Sequence, residues 1–216
     1  MLAGRHVLVT AGPTHEPIDP VRYLANRSSG KQGFAIAGAL AALGARVTLV
    51  AGPVQLATPA GVERIDVETA REMAEAVEKA LPAEAAVLVA AVADWRVDPA
   101  AFKIKKGDGG PPTLSLVENP DILAELALSP RRPALLIGFA AETDNVVGNA
   151  KAKRARKGAD WIVANDVSGP KGESVMGGSD NRVHLVTADG VEDWEAAPKT
   201  EIARRLAERI AAALEG

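Results

Sequence analysis

Short apolar segments alternate with longer helical segments along most of this chain. The predicted strands are 5–10, 46–51, 86–91, 134–138 and 160–164, and the predicted helices are 33–43, 67–81, 120–128, 143–157 and 198–214. The strands are apolar at nearly every position, which is typical of a parallel sheet covered by helices on both faces. The sequence therefore predicts an α/β fold with a mostly parallel sheet, whose ligands bind beyond the carboxyl ends of the strands.

Two features depart from this alternation. Residues 183–187 and 191–194 predict a small β-hairpin around Asp189-Gly190. Residues 95–112 and 166–182 are long polar or Gly-rich connections, and loops of this length in a compact domain are usually functional or disordered. Because no repeat or linker divides the chain, we expect a single domain, 1–216, in which residues 95–112 form a flexible active-site flap.

Charge and composition exclude several classes of function. The chain has 25 Lys and Arg against 28 Asp and Glu, so it lacks the basic excess of a non-specific nucleic-acid binder. It has no cysteine, which excludes disulfides, thiolate metal sites and cysteine nucleophiles. It also lacks a signal-peptide pattern and any apolar run of about 18 residues, so we expect a cytoplasmic protein with no membrane partner.

The connection between the first predicted strand and helix, residues 11–33, matches neither common nucleotide motif. It has no G-x-G-x-x-G, and no acidic residue ends the second strand, which disfavours NAD. A Walker A loop fails because Ala25 and Gln32 replace the required residues. What remains is Ser28-Ser29-Gly30-Lys31 at a helix N-terminus, where free N–H groups suit an anion. The alternative is that Ser28 or Ser29 simply caps the helix.

Other candidate ligand groups follow the predicted strands. Asn26, four residues after Arg22, can hold an amide or a developing tetrahedral centre, or it can form an Asx turn beside a solvated Arg. Ala90 and Ala91 are small enough for a flat ring to approach. Asp94 can accept hydrogen bonds or hold Mg²⁺ through water, or it can be a cap or surface residue.

Two groups of cations complete the candidates. Lys103, Lys105 and Lys106 lie in the flap, where they can neutralise phosphates or form a solvated charge run. Lys153 and Lys157 share one helical face, where they suit phosphates or offset the helix dipole. Phe139 follows a strand, as core or as a wall against a base. The three histidines have no zinc-ligand spacing.

Seven blocks of sequence together resemble the phosphopantothenoylcysteine synthetase family, the ligase domain of bacterial coenzyme A biosynthesis. The blocks are VLVTAGPTHEPIDPVRYLANRSSGKQG, AAVADWR, KIKK, ENPDIL, GFAAET, KAKRARKGADWIVAND and the SDN before VHLV. They occur in this order between residues 7 and 187. Each block alone is weak, but the ordered combination is specific.

The resemblance implies a Rossmann-like fold, a homodimer and a CTP-dependent ligase. The family activates the carboxylate of 4′-phosphopantothenate with CTP and Mg²⁺, giving an acyl-cytidylate and pyrophosphate. The amine of L-cysteine then forms the amide and releases CMP. Positioning and electrostatics suffice for this chemistry, because no protein nucleophile is required.

The family's site residues carry over to positions that match its motifs. Asn26 is expected to stabilise and convert the acyl-cytidylate, and Lys103 is the lid lysine. The expected nucleotide-binding residues are Ala90, Asp94, Lys103, Pro120, Asp121, Ile122, Leu123, Phe139, Lys153 and Lys157. Arg22, Asn26 and Ala91 are expected near the pantothenate, and Asp94 is the expected Mg²⁺ residue, acting through water.

Two departures from the family are visible. No flavin-dependent decarboxylase domain precedes the ligase blocks, so such a domain is expected as a separate partner or as a missing fused half. Gln32 also stands where the family usually has Met, and this change is expected to matter little. The remaining alternatives are an NAD(P)-dependent reductase and a non-catalytic nucleotide-binding module. Nothing in the sequence decides between CTP and ATP.

Overall fold

The computed structural model describes residues 2–105, 110–166 and 180–215. The strands are β1 His6–Ala11, β2 His15–Asp19, β3 Arg22–Ala25, β4 Arg46–Ala51, β5 Val62–Asp66, β6 Ala85–Leu88, β7 Trp95–Arg96, β8 Val117–Glu118, β9 Leu135–Glu142, β10 Trp161–Asp166, β11 Asp180–Val186 and β12 Val191–Pro198. The helices are α1 Lys31–Ala42, α2 Ala70–Lys79, α3 Ile122–Leu128, α4 Val146–Lys157 and α5 Lys199–Glu215.

Eight strands form the main sheet, in the order β12-β11-β10-β9-β6-β1-β4-β5. The six from β10 to β5 are parallel, and β11 and β12 continue the sheet antiparallel. Numbered along the chain, the parallel strands follow the Rossmann order 3-2-1-4-5-6, which reverses between β1 and β6. The predicted Rossmann-like sheet is confirmed, and its ligand crevice is expected beside that reversal.

Helices cover both faces of the sheet, as predicted. Alternate residues of β1 point to opposite faces, so Val7 and Val9 join one apolar core and Leu8 joins the other. The first core contains Ile36 of α1 and Leu206 of α5, while α2, α3 and α4 enclose the second. With both faces buried, the strand positions are fixed and their carboxyl ends form a stable edge.

Strand β5 was not predicted from the sequence. Its residues, VERID, mix charged and apolar positions; none is fully buried, and Glu63 and Asp66 are exposed. It lies at the edge of the sheet beside β4, where charged side chains protect the open edge from pairing. Edge strands therefore lack the continuous apolar run by which the central strands are recognised.

Several predicted boundaries shift for local reasons. Helix α2 begins at Ala70 rather than at residue 67 because Thr69 and Glu72 form a reciprocal capping box. The third predicted strand ends at Leu88, although the Val89 and Ala91 amides still donate to the Thr10 and Gly12 carbonyls over 3.2 and 2.9 Å. The predicted hairpin is confirmed as β11 and β12, which are longer and belong to the main sheet.

A second region, here called the accessory layer, comprises residues 15–25, 95–105 and 110–118. It contains the antiparallel pairs β2–β3 and β7–β8, neither of which was predicted. The flap is tied to the first hairpin, since the Ala100 amide donates to the Ile18 carbonyl over 2.9 Å. The Ile104 amide also donates to the Asp19 carboxylate over 3.1 Å. Lys106 lies outside the described residues.

Within the described part of the chain, no helix has the length and apolarity needed to cross a membrane.

Candidate active site

One large cavity of about 860 Å³ opens at the carboxyl edge of the main sheet. Its lining comes from the ends of β1, β6, β9 and β10, the loop before α1, and helices α3 and α4. This is the position beside the reversal of strand order where such sheets bind ligands. The fold therefore brings residues far apart in sequence around one space.

The N-terminus of α1 forms one wall. Gly30 adopts a left-handed conformation with φ of 74° and precedes the helix without a side-chain cap, so the alternative in which Ser28 or Ser29 caps α1 is wrong. The Ser28 hydroxyl instead accepts from the Gly30 amide over 3.3 Å. Ser28, Ser29 and Lys31 line the cavity. This wall presents hydroxyls, a cation and the positive end of a helix dipole, all suited to an anion.

Close packing holds this wall against the sheet. A Cβ on Gly33 would lie 2.5 Å from the Cβ of Ala11, so only glycine lets α1 approach β1 this closely. Helix α1 therefore starts at the edge of the sheet and directs its first turn into the cavity.

The loop after β6 forms the floor and is fixed by side chains from neighbouring elements. The Thr10 hydroxyl accepts from the Ala90 amide over 3.3 Å, and the Thr14 hydroxyl accepts from the Ala93 amide over 3.0 Å. Asn119 donates its side-chain amide to the Ala93 carbonyl over 2.9 Å. The Ala90–Ala91 surface is therefore both small and held in place.

Asn26 lies where the accessory layer meets this floor. Its Nδ2 donates to the Val92 carbonyl over 2.9 Å, and its side chain lines the cavity. The bond fixes the amide orientation and keeps the side chain at the loop that follows β6. Asn26 is exposed, so a ligand in the cavity can reach it.

Helix α4 contributes two cations to the opposite wall. Lys153 Nζ donates to the Phe139 carbonyl over 2.7 Å, and Lys157 pairs with the Asp121 carboxylate. Burial lowers the pKa of Lys153; the nearby charge of Glu142 opposes this shift, and the charge of Lys157 adds to it. A partly desolvated ammonium interacts more strongly with an anion than a solvated one does, because the local dielectric is lower.

Asp121 connects α3 to these lysines. Its carboxylate accepts from the Ala124 amide over 3.2 Å and so caps α3. Partial burial acts to raise the pKa of Asp121, but the bond from Lys157, the cap bond and the nearby lysine charges lower it overall. The carboxylate therefore stays ionised and holds Lys157 at the wall.

The structure brings together nearly all of the predicted site residues. Those that line the cavity are Asn26, Ala90, Ala91, Asp94, Pro120, Asp121, Ile122, Leu123, Phe139, Lys153 and Lys157. Phe139 also packs on the apolar core, so both of its expected roles are compatible with its position. Asp94 is exposed, and its carbonyl accepts from the Asn119 amide over 2.9 Å.

Two predicted residues are not brought to the cavity wall. Lys103 is exposed in the flap. Arg22 forms an ion pair of 2.6 Å with Asp19 and donates to the Ile104 carbonyl over 3.3 Å. The Asp19 carboxylate would have its pKa raised by burial, but bonds from Val21, Ile104 and Arg22 lower it. Arg22 thus joins the hairpin to the flap and does not line the cavity.

Sequence reasoning missed several polar residues of the cavity. Asn119 and Asn165 stand within quoted motif blocks but carried no assigned role, and Asn181 was noted only within SDN. Gln32 was treated as an inert replacement for Met, yet its buried amide bonds to Asn181 and to the Lys199 carbonyl. A signal existed for three of them, since Asn165 follows a predicted strand and Gln32 and Asn119 directly precede predicted helices.

Among the described residues, no three His, Cys, Asp or Glu side chains cluster as a metal site would require. Mg²⁺, however, commonly keeps several waters and uses one or two carboxylates together with substrate phosphates. Asp94 on the cavity lining is consistent with that mode of binding.

Comparison with known proteins gives one consistent family. Residues 2–214 match the family described as the DNA/pantothenate metabolism flavoprotein C-terminal domain. The chain is 50% identical over 194 residues to the coenzyme A biosynthesis bifunctional protein CoaBC of Vibrio parahaemolyticus, covering 88% of this chain and 48% of that protein. It is 49% identical to the Escherichia coli CoaBC over 190 residues, covering 86% and 46%. The chain thus spans about half the length of these curated relatives.

Solved structures share the fold. The C-terminal domain of a CoaBC bifunctional protein superposes with a TM-score of 0.83 at 39% identity, covering 99% of this chain and 97% of that one. A variant of Cab2 in complex with phosphopantothenate-cysteine superposes with a TM-score of 0.76 at 16% identity, covering 98% and 89%. At that low identity the second likeness shows a common fold alone.

Proposed function

This chain belongs to the DNA/pantothenate metabolism flavoprotein C-terminal domain family, and we propose that it joins 4′-phosphopantothenate to L-cysteine at the expense of CTP. One observation carries the proposal. A single cavity combines an anion-binding helix start, two lysines on the opposite wall and an oriented Asn beside a loop of small residues. These are the groups needed to hold a triphosphate beside a carboxylate and an amine.

The first step activates the carboxylate. One carboxylate oxygen of phosphopantothenate attacks the α-phosphorus of CTP, and the bond to the β-phosphate breaks to release pyrophosphate. Negative charge is concentrated on the triphosphate throughout this step. Lys31, Lys153, Lys157 and the N-terminus of α1 surround the cavity and balance that charge.

The second step forms the amide. The cysteine amine attacks the acyl carbonyl, a tetrahedral centre forms, and its collapse expels CMP as the amine loses a proton. Asn26 lies at the junction of the accessory layer and the floor, where its amide can donate to the developing oxyanion. No covalent bond to the protein forms in either step.

Lys103 acts from the flap in this proposal. It is exposed and absent from the cavity lining, so it must move toward the site to contact the nucleotide. Lids of this kind add positive charge to phosphates and exclude water from reactive intermediates. An acyl-cytidylate hydrolyses readily in water, which gives closure a chemical purpose.

Magnesium fits the cavity as an ion that arrives with the nucleotide. Asp94 would hold it through a water molecule, and the ion would supply further positive charge at the phosphates. The protein itself contributes lysines, hydroxyls and backbone N–H groups around the same space.

We also propose a homodimer. Apolar side chains are exposed across the accessory layer, namely Val21, Tyr23, Trp95, Phe102, Leu116 and Val117. Exposed apolar side chains concentrated in one region are typical of an interaction surface. Because the curated relatives are bifunctional and about twice as long, a decarboxylase domain, fused or separate, is a further proposed partner.

The proposal is tested by pyrophosphate release from purified protein with Mg²⁺, phosphopantothenate and either CTP or ATP, with and without cysteine. We expect release that requires CTP and phosphopantothenate, with CMP and the cysteine amide as final products. Turnover with ATP but not with CTP would support the ligase activity and contradict the proposed choice of nucleotide. Tight CTP binding without pyrophosphate release would overturn the ligase in favour of a non-catalytic nucleotide-binding module.

An NAD(P)-dependent reductase receives no support from this site. The first strand-to-helix connection contains the β2–β3 hairpin instead of the short glycine turn that a dinucleotide requires. A change in NADH or NADPH fluorescence on titration with the protein would contradict this conclusion.

A further inference from the structure

Three side-chain amides form a connected, mostly buried chain at one corner of the cavity. Gln32 of α1 donates from Nε2 to the carbonyl of Lys199 over 3.1 Å. Asn181 of β11 donates from Nδ2 to Gln32 Oε1 over 3.1 Å and to Asn165 Oδ1 over 3.3 Å. All three line the cavity, but Gln32 and Asn181 are only 8% and 5% exposed, whereas Asn165 of β10 is half-buried and is the member most open to a ligand.

The donor-to-acceptor direction of this series of hydrogen bonds is set by Gln32. A backbone carbonyl only accepts hydrogen bonds, so the Gln32 amide must turn its nitrogen toward Lys199 and its oxygen toward Asn181. Because Gln32 Oε1 can only accept, the end of the Asn181 amide that meets it must be the donating Nδ2. Asn181 then presents N–H to Asn165 as well, so the oxygen of Asn165 faces inward and its nitrogen faces away from Asn181.

Because Gln32 and Asn181 are buried, reversing the direction of these hydrogen bonds costs free energy. A buried amide without a partner loses about 1–3 kcal/mol of free energy, so a reversed amide anywhere in the chain is disfavoured. In water an Asn side chain turns freely to suit its ligand. Here the carbonyl of Lys199 determines, through two intermediate amides, which end of Asn165 meets the cavity.

We infer that Gln32 is a positioning residue, which acts through Asn181 to hold the Asn165 amide with its N–H donors toward the cavity and so favours an anionic, acceptor-rich ligand there. The inference rests on the proposed function, in which that ligand is a nucleoside triphosphate. Met at position 32 fills a similar volume, but its thioether cannot donate and is only a weak acceptor. The amide of Asn181 then loses one acceptor, and the orientation of Asn165 is no longer fixed.

The test is a double-mutant cycle in CTP affinity, measured by calorimetric titration of the full chain with Gln32→Met, Asn165→Ala and the double variant. We expect Gln32→Met to weaken CTP binding by about tenfold, in line with the loss of an orienting buried hydrogen bond. In the Asn165→Ala background, the same change should weaken binding less than about twofold, because the residue through which Gln32 acts is gone. The thermal midpoint of each variant is recorded alongside.

Gln55→Met is the matched control, because Gln55 is exposed and outside the cavity lining. It should leave CTP affinity unchanged. Equal CTP affinity in Gln32→Met and the parent chain would overturn the positioning role while leaving the ligase intact. Additive losses in the double variant would likewise overturn action through Asn165. A parent chain that binds neither CTP nor ATP would overturn the proposed function as well.

Should Gln32→Met fail to fold, Gln32→Leu provides the second variant. Its side chain neither accepts from Asn181 nor donates to the Lys199 carbonyl, and it adds no charge beside the nucleotide. We expect a loss of CTP affinity that shrinks in the Asn165→Ala background, as for Met. Unchanged CTP affinity in Gln32→Leu would overturn the inference.

Discussion

The main sheet and the accessory layer follow opposite rules of burial. In the sheet half, strands and helices bury apolar side chains in two cores and leave most charged groups outside. In the accessory layer, Glu16 and Asp19 are almost fully buried, whereas Tyr23 and Phe102 are 55% and 84% exposed. Glu16 even accepts from the Ala70 amide at the start of α2, so a buried carboxylate anchors the hairpin to the sheet half.

This difference separates two tasks within one site. The groups proposed to bind the nucleotide, such as Lys153 and the start of α1, are held by the packed sheet half. Asn26 and Lys103, the residues proposed for the chemistry, belong to or adjoin the accessory layer. We infer that residues of the sheet half determine the affinity for the nucleotide and that residues of the accessory layer determine the rate of the reaction.

The sharpest test of this division is Lys103→Gln. We expect the rate of amide formation to fall by about a thousandfold, as when one preorganised group for transition-state charge is lost. Unfolding should be unaffected because Lys103 is exposed. Stopped-flow pyrophosphate release and thermal unfolding measure the two quantities.

Lys105→Gln removes the same charge two residues away and serves as the control for Lys103. It should cost less than tenfold in rate. Equal losses in the two variants would mean that total flap charge matters and would remove the specific role of Lys103.

In the sheet half, Gly52→Ala should strongly destabilise the fold. A Cβ at this position would lie 1.7 Å from the carbonyl oxygen of Pro13, and a backbone group cannot move aside cheaply. We expect the free energy of unfolding to fall by about 3 kcal/mol, as for severe core changes. Urea denaturation measures it, and an unchanged midpoint would show that this edge of the sheet is not rigid.

Lys153→Met should separate affinity from stability. We expect CTP binding to weaken by about tenfold to a hundredfold, since a charged hydrogen-bond donor is lost. Stability at neutral pH should rise, because burial lowers the pKa of Lys153 and the folded chain therefore holds that charge at a cost. Calorimetric titration and denaturation measure the two effects.

The pH dependence of stability checks the sign of the Lys153 effect. With a pKa lower in the folded chain than in the unfolded one, the unfolded chain binds more protons, so unfolding free energy rises with pH. The rise should occur in the alkaline range below the ordinary lysine value of 10.5 and disappear in Lys153→Met. A parent chain with flat stability over that range would contradict the account.

The smallest effect is expected from Phe102→Ser in the flap. At 84% exposed, this ring contributes little to the fold, so unfolding free energy should change by less than about 0.5 kcal/mol in dilute protein. Sedimentation should show weaker self-association, since an apolar side chain leaves the proposed dimer surface. A loss of stability above about 1 kcal/mol at concentrations where the chain is monomeric would contradict the separation of the two regions.

The same contrast explains which parts of the fold were predictable. Central strands such as β1 and β4 are continuous apolar runs, because both of their faces are buried. The β2–β3 hairpin has no such run, and its stability depends on buried polar contacts between distant segments. The bond from the Ala70 amide to Glu16 joins residues 54 apart, a pairing that no local pattern contains.

For the site, the sequence predicted single residues better than the connections among them. Lys153 and Lys157 were predicted as one helical face and do line the cavity together. The buried amides were missed because Gln32, Asn165 and Asn181 lie on three separate elements. Their importance comes from hydrogen-bond direction in a buried space, which spacing along a chain does not reveal.

The most direct test of the central claim follows an isotope through the reaction. Phosphopantothenate labelled with oxygen-18 in its carboxylate is converted with CTP, Mg²⁺ and cysteine, and the nucleotide and pyrophosphate products are examined by mass spectrometry. If an acyl-cytidylate forms in the cavity at the carboxyl edge of the main sheet, CMP should carry one labelled oxygen and pyrophosphate should carry none. Unlabelled CMP, or label in released phosphate together with CDP, would show that the carboxylate is activated elsewhere on the nucleotide and would contradict the account.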